Sequence, residues 1–358
     1  AWEPPRSDPA ESGGAVLGER WDNRRMVPAT APRATSAAGE VRVGAIDCGT
    51  NSLRLLIADI DPQTGKMLEL VRRMEIVRLG CGVDKTGVLA PEALARTLAM
   101  TRDYATQCRE YAVHRIRFVA TSASRDARNA DEFVAGVRAA FGDLDVAPEV
   151  VSGQEEARLS FLGATGDLIA AQMEGPYLVV DIGGGSTEFV RGTHTVEAAR
   201  SVDIGCVRLT ERHLRSDPPT PDEIAAAIVD IDRAIDLAIE TVSLREVRTL
   251  VGLAGSVTTV AAQHLDLRAY DPGAIHLSVA TPPQIQAACE QLMGMTRAER
   301  AAKGFMHPGR VDVIGAGALV WSRVIARVMR QTGLGQALPV ATSEHDILDG
   351  IALSLVGR

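Results

Sequence analysis

The segment from Val43 to Asp59, VGAIDCGTNSLRLLIAD, recurs in outline from Leu178 to Arg191, LVVDIGGGSTEFVR. Each copy is an apolar run, an aspartate, a Gly-rich turn with a serine, and a second strand-like run. Asp47 aligns with Asp181, Gly49 with Gly183 and Ser52 with Ser186. One copy would describe only a hairpin. Two copies a domain length apart describe a duplicated architecture in which two phosphate-handling turns face each other across a cleft.

The rest of the chain supplies layers for such a pair. With 358 residues there is length for two domains, each with its own core. After the hairpin over 41–60, a strand is expected near Leu68 to Leu79, a helix from about Pro91 to Tyr111, a strand at Ile116 to Ala120, then a loop and helix. Mixed strands and helices give an α/β arrangement. Thr220, Pro221 and Glu223 carry the marks of a capped helix start, and Ile224, Ile228, Ile231 and Ile235 follow at helical spacing as a core-facing stripe. Residues 1–40, rich in Ala, Pro, Gly, Ser and Arg without apolar period, are expected to be a disordered extension. The first domain is then 41–154 and the second 155–343, with a final helix over about 344–358 returning to the first.

The 46% apolar fraction suits a soluble globular protein, and no apolar run approaches the roughly 20 residues that span a bilayer. A cytoplasmic location is expected. The cysteines Cys48, Cys81, Cys108, Cys206 and Cys289 are scattered without C-x-x-C spacing, against both a disulfide framework and a thiolate zinc site. The seven histidines likewise show no metal-ligand spacing and are read as structural or surface residues. A net charge of -8 argues against nucleic acid or an anionic membrane as the main partner, yet leaves room for a polyanionic substrate. Local basic clusters at Arg24, Arg25, Arg72, Arg73, Arg115, Arg117, Arg125 and Arg128 could steer one, or could be solvated surface.

Gly- and Ser-rich turns expose backbone N–H groups that can cradle phosphate oxygens, and an aspartate at the strand end can hold Mg²⁺ directly or through water. Both turns qualify, offering Asp47 with Gly49, Thr50, Asn51 and Ser52, and Asp181 with Gly183, Gly184, Gly185 and Ser186. Three more segments read as strand, small-residue turn and helix. FVATSASRDAR places Ser124 and Arg125 where a helix should begin, a combination that suits an oxyanion as well as an ordinary cap. LVGLAGSVTTVAA offers Gly252, Gly255 and Ser256 in the same role. VVSGQEEARL puts Glu155 and Glu156 at a helix start, where acidic residues favour the helix dipole in any case. Adjacent helical residues project about 100° apart, so only one of the two can face a given cleft. Beside phosphate turns, that one could deprotonate a water attacking phosphorus.

The motifs DCGTNSLRLLI, VATSASRDARN, VVSGQEEARL, VVDIGGGSTEFV and GLAGSVTTVA, in this order, resemble the exopolyphosphatase and guanosine pentaphosphate phosphohydrolase family from about Val41 onward. The resemblance implies two ribonuclease-H-like domains around a central cleft, as in the sugar kinase, actin and heat-shock-70 superfamily. It implies Mg²⁺-dependent release of terminal orthophosphate from inorganic polyphosphate, or of a phosphate from guanosine pentaphosphate. Carried over motif by motif, Glu156 matches the family's catalytic base, Arg125 its phosphate-loop arginine, and Asp181 and Glu188 its metal- and water-positioning groups. Asp47 is the remaining candidate metal ligand. The usual DIGTNS reads DCGTNS here, which leaves Asp47, Gly49 and Ser52 in place, and the chain ends soon after SEHDILDGIAL, where longer relatives carry a further HD-type domain.

The expected function is therefore a short exopolyphosphatase, with guanosine pentaphosphate phosphatase as the runner-up. An ATP-dependent kinase of the same superfamily and a non-catalytic polyphosphate or nucleotide sensor are the alternatives of other classes, and the Glu155–Glu156 pair favours hydrolysis over the kinase. A homodimer is expected, as is common in the family.

Overall fold

The computed structural model describes residues 39–357. All but the last two residues of the expected extension 1–40, together with Arg24 and Arg25, lie outside them.

Two sheets are built on one plan. The first contains β1 (Val41–Cys48), β2 (Ser52–Ile60), β3 (Met67–Ile76), β4 (Arg115–Ala120) and β5 (Glu149–Val150), in the order β3-β2-β1-β4-β5. Strands β1 to β3 form an antiparallel meander, and β4 and β5 add in parallel beside β1. The second contains β6 (Tyr177–Ile182), β7 (Thr187–Gly192), β8 (Val196–Val202), β9 (Thr249–Leu253), β10 (Val279–Ala280) and β11 (Val340–Thr342). Its order, β8-β7-β6-β9-β11-β10, repeats the first with β10 as an added antiparallel edge. Both sheets are thus ribonuclease-H-like.

The central strands read as near-continuous apolar runs because both of their faces are covered. Successive β1 side chains alternate between two cores. Ile46 and Cys48 pack with Tyr104, Phe118, Phe133 and Phe141 under the helices Pro91–Glu110 and Ala130–Phe141, whereas Val43 and Ala45 pack with Ile347, Leu348 and Ile351 of the C-terminal helix Ile347–Ser354. In the second half, helices pack around the fully buried Trp321. The helix Pro221–Ile239 opens with the expected capping box of Thr220 and Glu223. Its stripe is narrower than expected: Ile231 and Ile235 are buried, while Ile224 and Ile228 sit partly exposed at the core's margin and Ala227, Ala234 and Ala238 complete the buried face.

The helix Gly153–Ala170 crosses the C-terminal helix with almost no space between their backbones. A Cβ at Gly163 would lie 1.8 Å from the carbonyl oxygen of Asp346, and one at Gly350 would lie 1.9 Å from that of Leu159. Neither obstacle is a side chain that can swing aside. Gly163→Ala is therefore expected to destabilise the protein by about 3 kcal/mol, measurable by denaturant unfolding, because the crossing must open. Among the described residues no helix is long and apolar enough to cross a membrane.

Candidate active site

The duplicated hairpins close on the same internal bond. Gly49 N–H donates to Ser52 O at 2.9 Å in the first, and Gly183 N–H donates to Ser186 O at 3.0 Å in the second. Around each turn, neighbouring segments hold the backbone carbonyls. Thr50 O accepts from Gly80 N–H, and Asn51 O accepts from Val77 and Arg78 N–H. In the second turn, Gly183 O accepts from Cys206 N–H, and Gly184 O accepts from Val207 and Arg208 N–H. In a trans peptide the C=O and the following N–H point in opposite directions. The N–H groups of Asn51, Ser52, Gly184 and Gly185 are thereby turned away from these supports. Each turn thus offers backbone N–H groups on the side away from its supports, and the two turns meet closely, since a Cβ at Gly184 would lie 2.9 Å from Thr50 Cβ.

The first turn contributes Asp47 and Gly49 to Ser52 to one cleft, the second contributes Asp181, Gly183, Gly184 and Ser186, and Gly255, Ser256 and Glu156 also line it. The third turn is made sharp by Ala254, a non-glycine in the left-handed region at φ 65, which aims Gly255 and Ser256 at the cleft from the start of the helix Ala254–His264. Gly252 has a different role from the one expected. It lies within β9, and a Cβ there would meet Val257 and the Trp321 ring, so its smallness serves packing.

Register makes the two hairpins electrostatically unlike. Asp47 pairs across the ladder with Arg54, and Asp181 pairs with Glu188. Asp47 Oδ2 accepts from Arg54 Nε at 2.9 Å, and Arg54 Nη1 donates at 2.5 Å to Asp346 Oδ2, the N-cap of the C-terminal helix. Burial raises Asp47 above the usual carboxylate range, with Arg54 opposing the shift. Among the described residues Asp181 has only the hydroxyl of Ser160, which donates to it at 2.7 Å. Burial and the charges of Asp346 and Asp47 push it up to about 7, against Ser160 and Arg54. Glu188 accepts from Ser201 Oγ at 2.7 Å and is driven well above the usual range by burial and by Glu156 and Asp181.

The two adjacent glutamates divide as helix geometry requires. Glu155 turns outward to Arg158 and Arg117, which hold its carboxyl below the usual range. Glu156 is buried at the cleft, accepting from Arg125 Nη1 at 3.1 Å. Burial pushes it up to about 7, Arg125 pulls the other way, and Asp181 and Asp47 add to the rise.

Arg125 itself lies on Glu156 and on Val151 O rather than along the cleft wall. Glu188 and Gly185 also stand behind that wall. Ser124 is buried with no partner for its hydroxyl among the described residues, because the helix is only Ser122–Asp126 and begins two residues before the expected point; Thr121 and Ser122 face the cleft instead. Ser122 Oγ and Thr50 Oγ1 meet at 2.8 Å, joining the third motif to the first. The other arginine clusters are engaged elsewhere: Arg72 on Asp349 and Glu69, Arg73 on Asp103 and Glu75, and Arg117 on Glu149 and Glu155.

Several cleft residues escape sequence reasoning. Arg54 could have been found, since Asp47 and Arg54 are equidistant from the Gly49–Ser52 turn and must pair in a hairpin. Arg310 had no local signal. Its guanidinium lies where a Cβ of Gly255 would be and has no carboxylate partner among the described residues.

A second polar cluster joins Asp167, His276 and His345, residues far apart in sequence. His345 Nδ1 lies 2.5 Å from Asp167 Oδ2, and His276 Nε2 lies 3.5 Å from it. Glu344 N–H donates to His276 Nδ1, which leaves the ring proton on Nε2, facing Asp167. A ring so placed offers Asp167 an N–H, and the cluster is held together by hydrogen bonds and an ion pair. Asp167 is held well below the usual range by hydrogen bonds from His276 and His345. Burial lowers His345, but Asp167 and Asp349 outweigh it and Arg72, and its pKa is raised. The folded state thus retains the imidazolium at higher pH than the unfolded state does. The stabilisation is present below about pH 6.5 and fades as pH rises through the raised value; Asp167 loses its part as pH falls below about 4. Asp167→Asn is expected to lower the thermal midpoint by more at pH 6 than at pH 8.5, and equal losses would reject the pair.

Comparison with known proteins places this geometry. A model of the Ppx/GppA phosphatase family matches residues 56–352. The chain is 50% identical over 320 residues to Exopolyphosphatase 2 of Mycobacterium tuberculosis strain H37Rv, across 88% of this chain and 99% of that one. A solved structure of an exopolyphosphatase-like protein superposes with a TM-score of 0.84 at 45% identity, covering 88% of this chain and 98% of that one. The crystal structure of the Aquifex aeolicus Ppx/GppA family member superposes with a TM-score of 0.71 at 30% identity, with coverage of 88% and 98%.

Proposed function

The chain belongs to the Ppx/GppA phosphatase family, and on that footing we propose that it is an exopolyphosphatase, which hydrolyses terminal orthophosphate from inorganic polyphosphate. The observation that carries this reading is the position of Glu156, a buried carboxylate at the cleft between two nests of backbone N–H groups.

In this reading the turns at Gly49–Ser52 and Gly183–Ser186, with Gly255 and Ser256, bind the terminal phosphates through N–H and hydroxyl groups. Glu156 accepts a proton from a water that attacks the end phosphorus. The new P–O bond forms as the bond to the bridging oxygen breaks, yielding orthophosphate and a chain one unit shorter. Positioning and charge stabilisation dominate such transfers, so donors already aimed at the phosphoryl oxygens provide much of the rate. Arg125 opposes the burial that raises Glu156 and so favours its ionised form, from behind the cleft wall.

The residues fit a divalent cation. Glu156, Asp181 and Glu188 are buried carboxylates pushed up in pKa, and among the described residues Arg125 is the one guanidinium that touches any of the three. This negative excess favours Asp181 and Glu188 as the cation's anchors, with Asp47 more fully compensated by Arg54. Mg²⁺, when bound, would neutralise charge on the substrate's phosphate oxygens. The same proposal divides the chain into domains 41–154 and 155–343, with 344–358 returning to the first, and takes the protein to be a cytoplasmic homodimer, the last checked by sedimentation.

Phosphate release measured on short and long polyphosphate, guanosine pentaphosphate and ATP, with and without Mg²⁺, tests the reading. Polyphosphate as the fastest substrate supports it; guanosine pentaphosphate as the fastest would move the assignment to a 5′-phosphohydrolase, and no release from either would reject hydrolysis.

A further inference from the structure

The short helix Cys206–Arg212 is bound to both halves of the molecule. Its first backbone N–H groups hold Gly183 O and Gly184 O. The next carbonyl in that series, Gly185 O, is held by a side chain: Arg208 Nε donates to it at 2.7 Å. Three successive carbonyls of the second turn are therefore drawn to one side. By the antiparallel geometry of the peptide, the Gly185–Ser186 unit turns the Ser186 N–H the other way, toward the cleft that Ser186 lines.

The remaining arms of Arg208 reach the first half. Nη1 donates to Asp84 at 2.6 Å and Nη2 donates to Asp126 at 2.5 Å. The Arg208 side chain is only 11% exposed, while its partners Asp84 and Asp126 lie at the protein surface with their side chains partly exposed. Asp126 directly follows Arg125, the guanidinium on Glu156. On the opposite side of the contact, a Cβ at Gly185 would lie 2.6 Å from Ser122 Oγ and 2.7 Å from Thr50 Oγ1, so the two turns touch here without space to spare. Arg212 reinforces Asp84 but makes no bond to the turn.

We propose that Arg208 is a positioning residue for phosphate release: its planar fork clamps the Gly185 carbonyl to Asp84 and Asp126, so that the N–H of Ser186 stays aimed at substrate and the two turns keep their spacing. Lysine cannot replace it, because one ammonium on a flexible stem does not span a carbonyl and two carboxylates in a fixed plane. The proposal rests on the exopolyphosphatase reading for its kinetic arm, whereas phosphate-chain binding tests it independently.

The experiment compares wild type, Arg208→Met, Arg208→Lys and Arg212→Met by three measurements: thermal midpoint, calorimetric binding of tripolyphosphate, and kcat and KM for phosphate release. Arg208→Met and Arg208→Lys are each expected to lose about tenfold to a hundredfold in kcat/KM, the scale of one misaligned oxyanion donor. Tripolyphosphate affinity should also fall, with the protein folded at the assay temperature. Arg212→Met, which leaves Gly185 O held, should stay within about twofold of wild type. Full activity and affinity in either folded Arg208 variant would overturn the proposal. So would a loss matched by Arg212→Met, or one accounted for by the unfolded fraction. If Arg208→Met does not fold, Arg208→Lys carries the test. If wild type binds tripolyphosphate without releasing phosphate, the functional reading fails while the binding comparison still decides the role of Arg208.

Discussion

Glu156→Gln is expected to lower kcat for phosphate release by about 10²–10⁴-fold while KM changes by only a few-fold, the signature of a lost general base rather than a lost binding group. The same substitution should make the protein more stable at neutral and alkaline pH without divalent cation. Burial has pushed Glu156 up to about 7, with Asp181 and Asp47 adding to it. An unfolded glutamate titrates near 4.3. Between these values the folded chain holds a proton that the unfolded chain has released, so stability falls as pH rises across that interval and then levels. Glutamine never acquires the charge. Its advantage over wild type should therefore grow from pH 5 to about 7 and stay constant beyond. Arg125 loses the charge of one acceptor but keeps an amide oxygen there and Val151 O, which limits the opposing cost. The wild-type rate should rise with pH through the same interval, with the inflection moved lower by added Mg²⁺. Retention of kcat within tenfold would remove Glu156 from the role of base, and a variant less stable than wild type at pH 8 would reject the cost of burying its charge.

What could be read from the sequence is what local chemistry dictates. The Asp-Gly turns announced both hairpins because strand alternation and glycine placement are local signals, and the repeat implied the second sheet's plan from the first. Helix geometry established that Glu155 and Glu156 must diverge, but not which faces the cleft. That choice is made by Arg117 and Arg158 on one side and Arg125 on the other. Ser124 was misplaced for a local reason, a helix that starts at Ser122 and turns Ser124 into the interior. Gly252 was misread because a glycine under a tryptophan from a distant helix looks, in sequence, like a glycine in a phosphate turn. Arg310, Asp346 and the cluster of Asp167, His276 and His345 depend on segments joined only by the tertiary fold.

The contrast between Arg54 and Glu188, equivalent positions on the two repeats, leads to the second large effect. Asp181→Asn is expected to weaken Mg²⁺ binding by about 100-fold or more, and Asp47→Asn by distinctly less. Asp47 already shares Arg54 with Asp346. Asp181 faces Glu188 across the ladder and has Ser160 as its direct hydrogen-bond donor. A cation therefore relieves more repulsion in the second hairpin than in the first. The thermal midpoint reads this without any turnover, because a ligand that binds only the folded chain stabilises it by RT ln(1 + [L]/Kd). Wild type should gain stability progressively over a Mg²⁺ titration at pH 8, where Asp181 is ionised. Asp181→Asn should begin more stable than wild type, having lost a buried charge, and respond little to the ion. Asp47→Asn should begin closer to wild type, since Arg54 already offsets much of the cost of burying the Asp47 charge and stays paired with Asp346, and it should keep most of the response. Equal Mg²⁺ titrations in the two variants, or the larger loss in Asp47→Asn, would place the cation on the first hairpin instead.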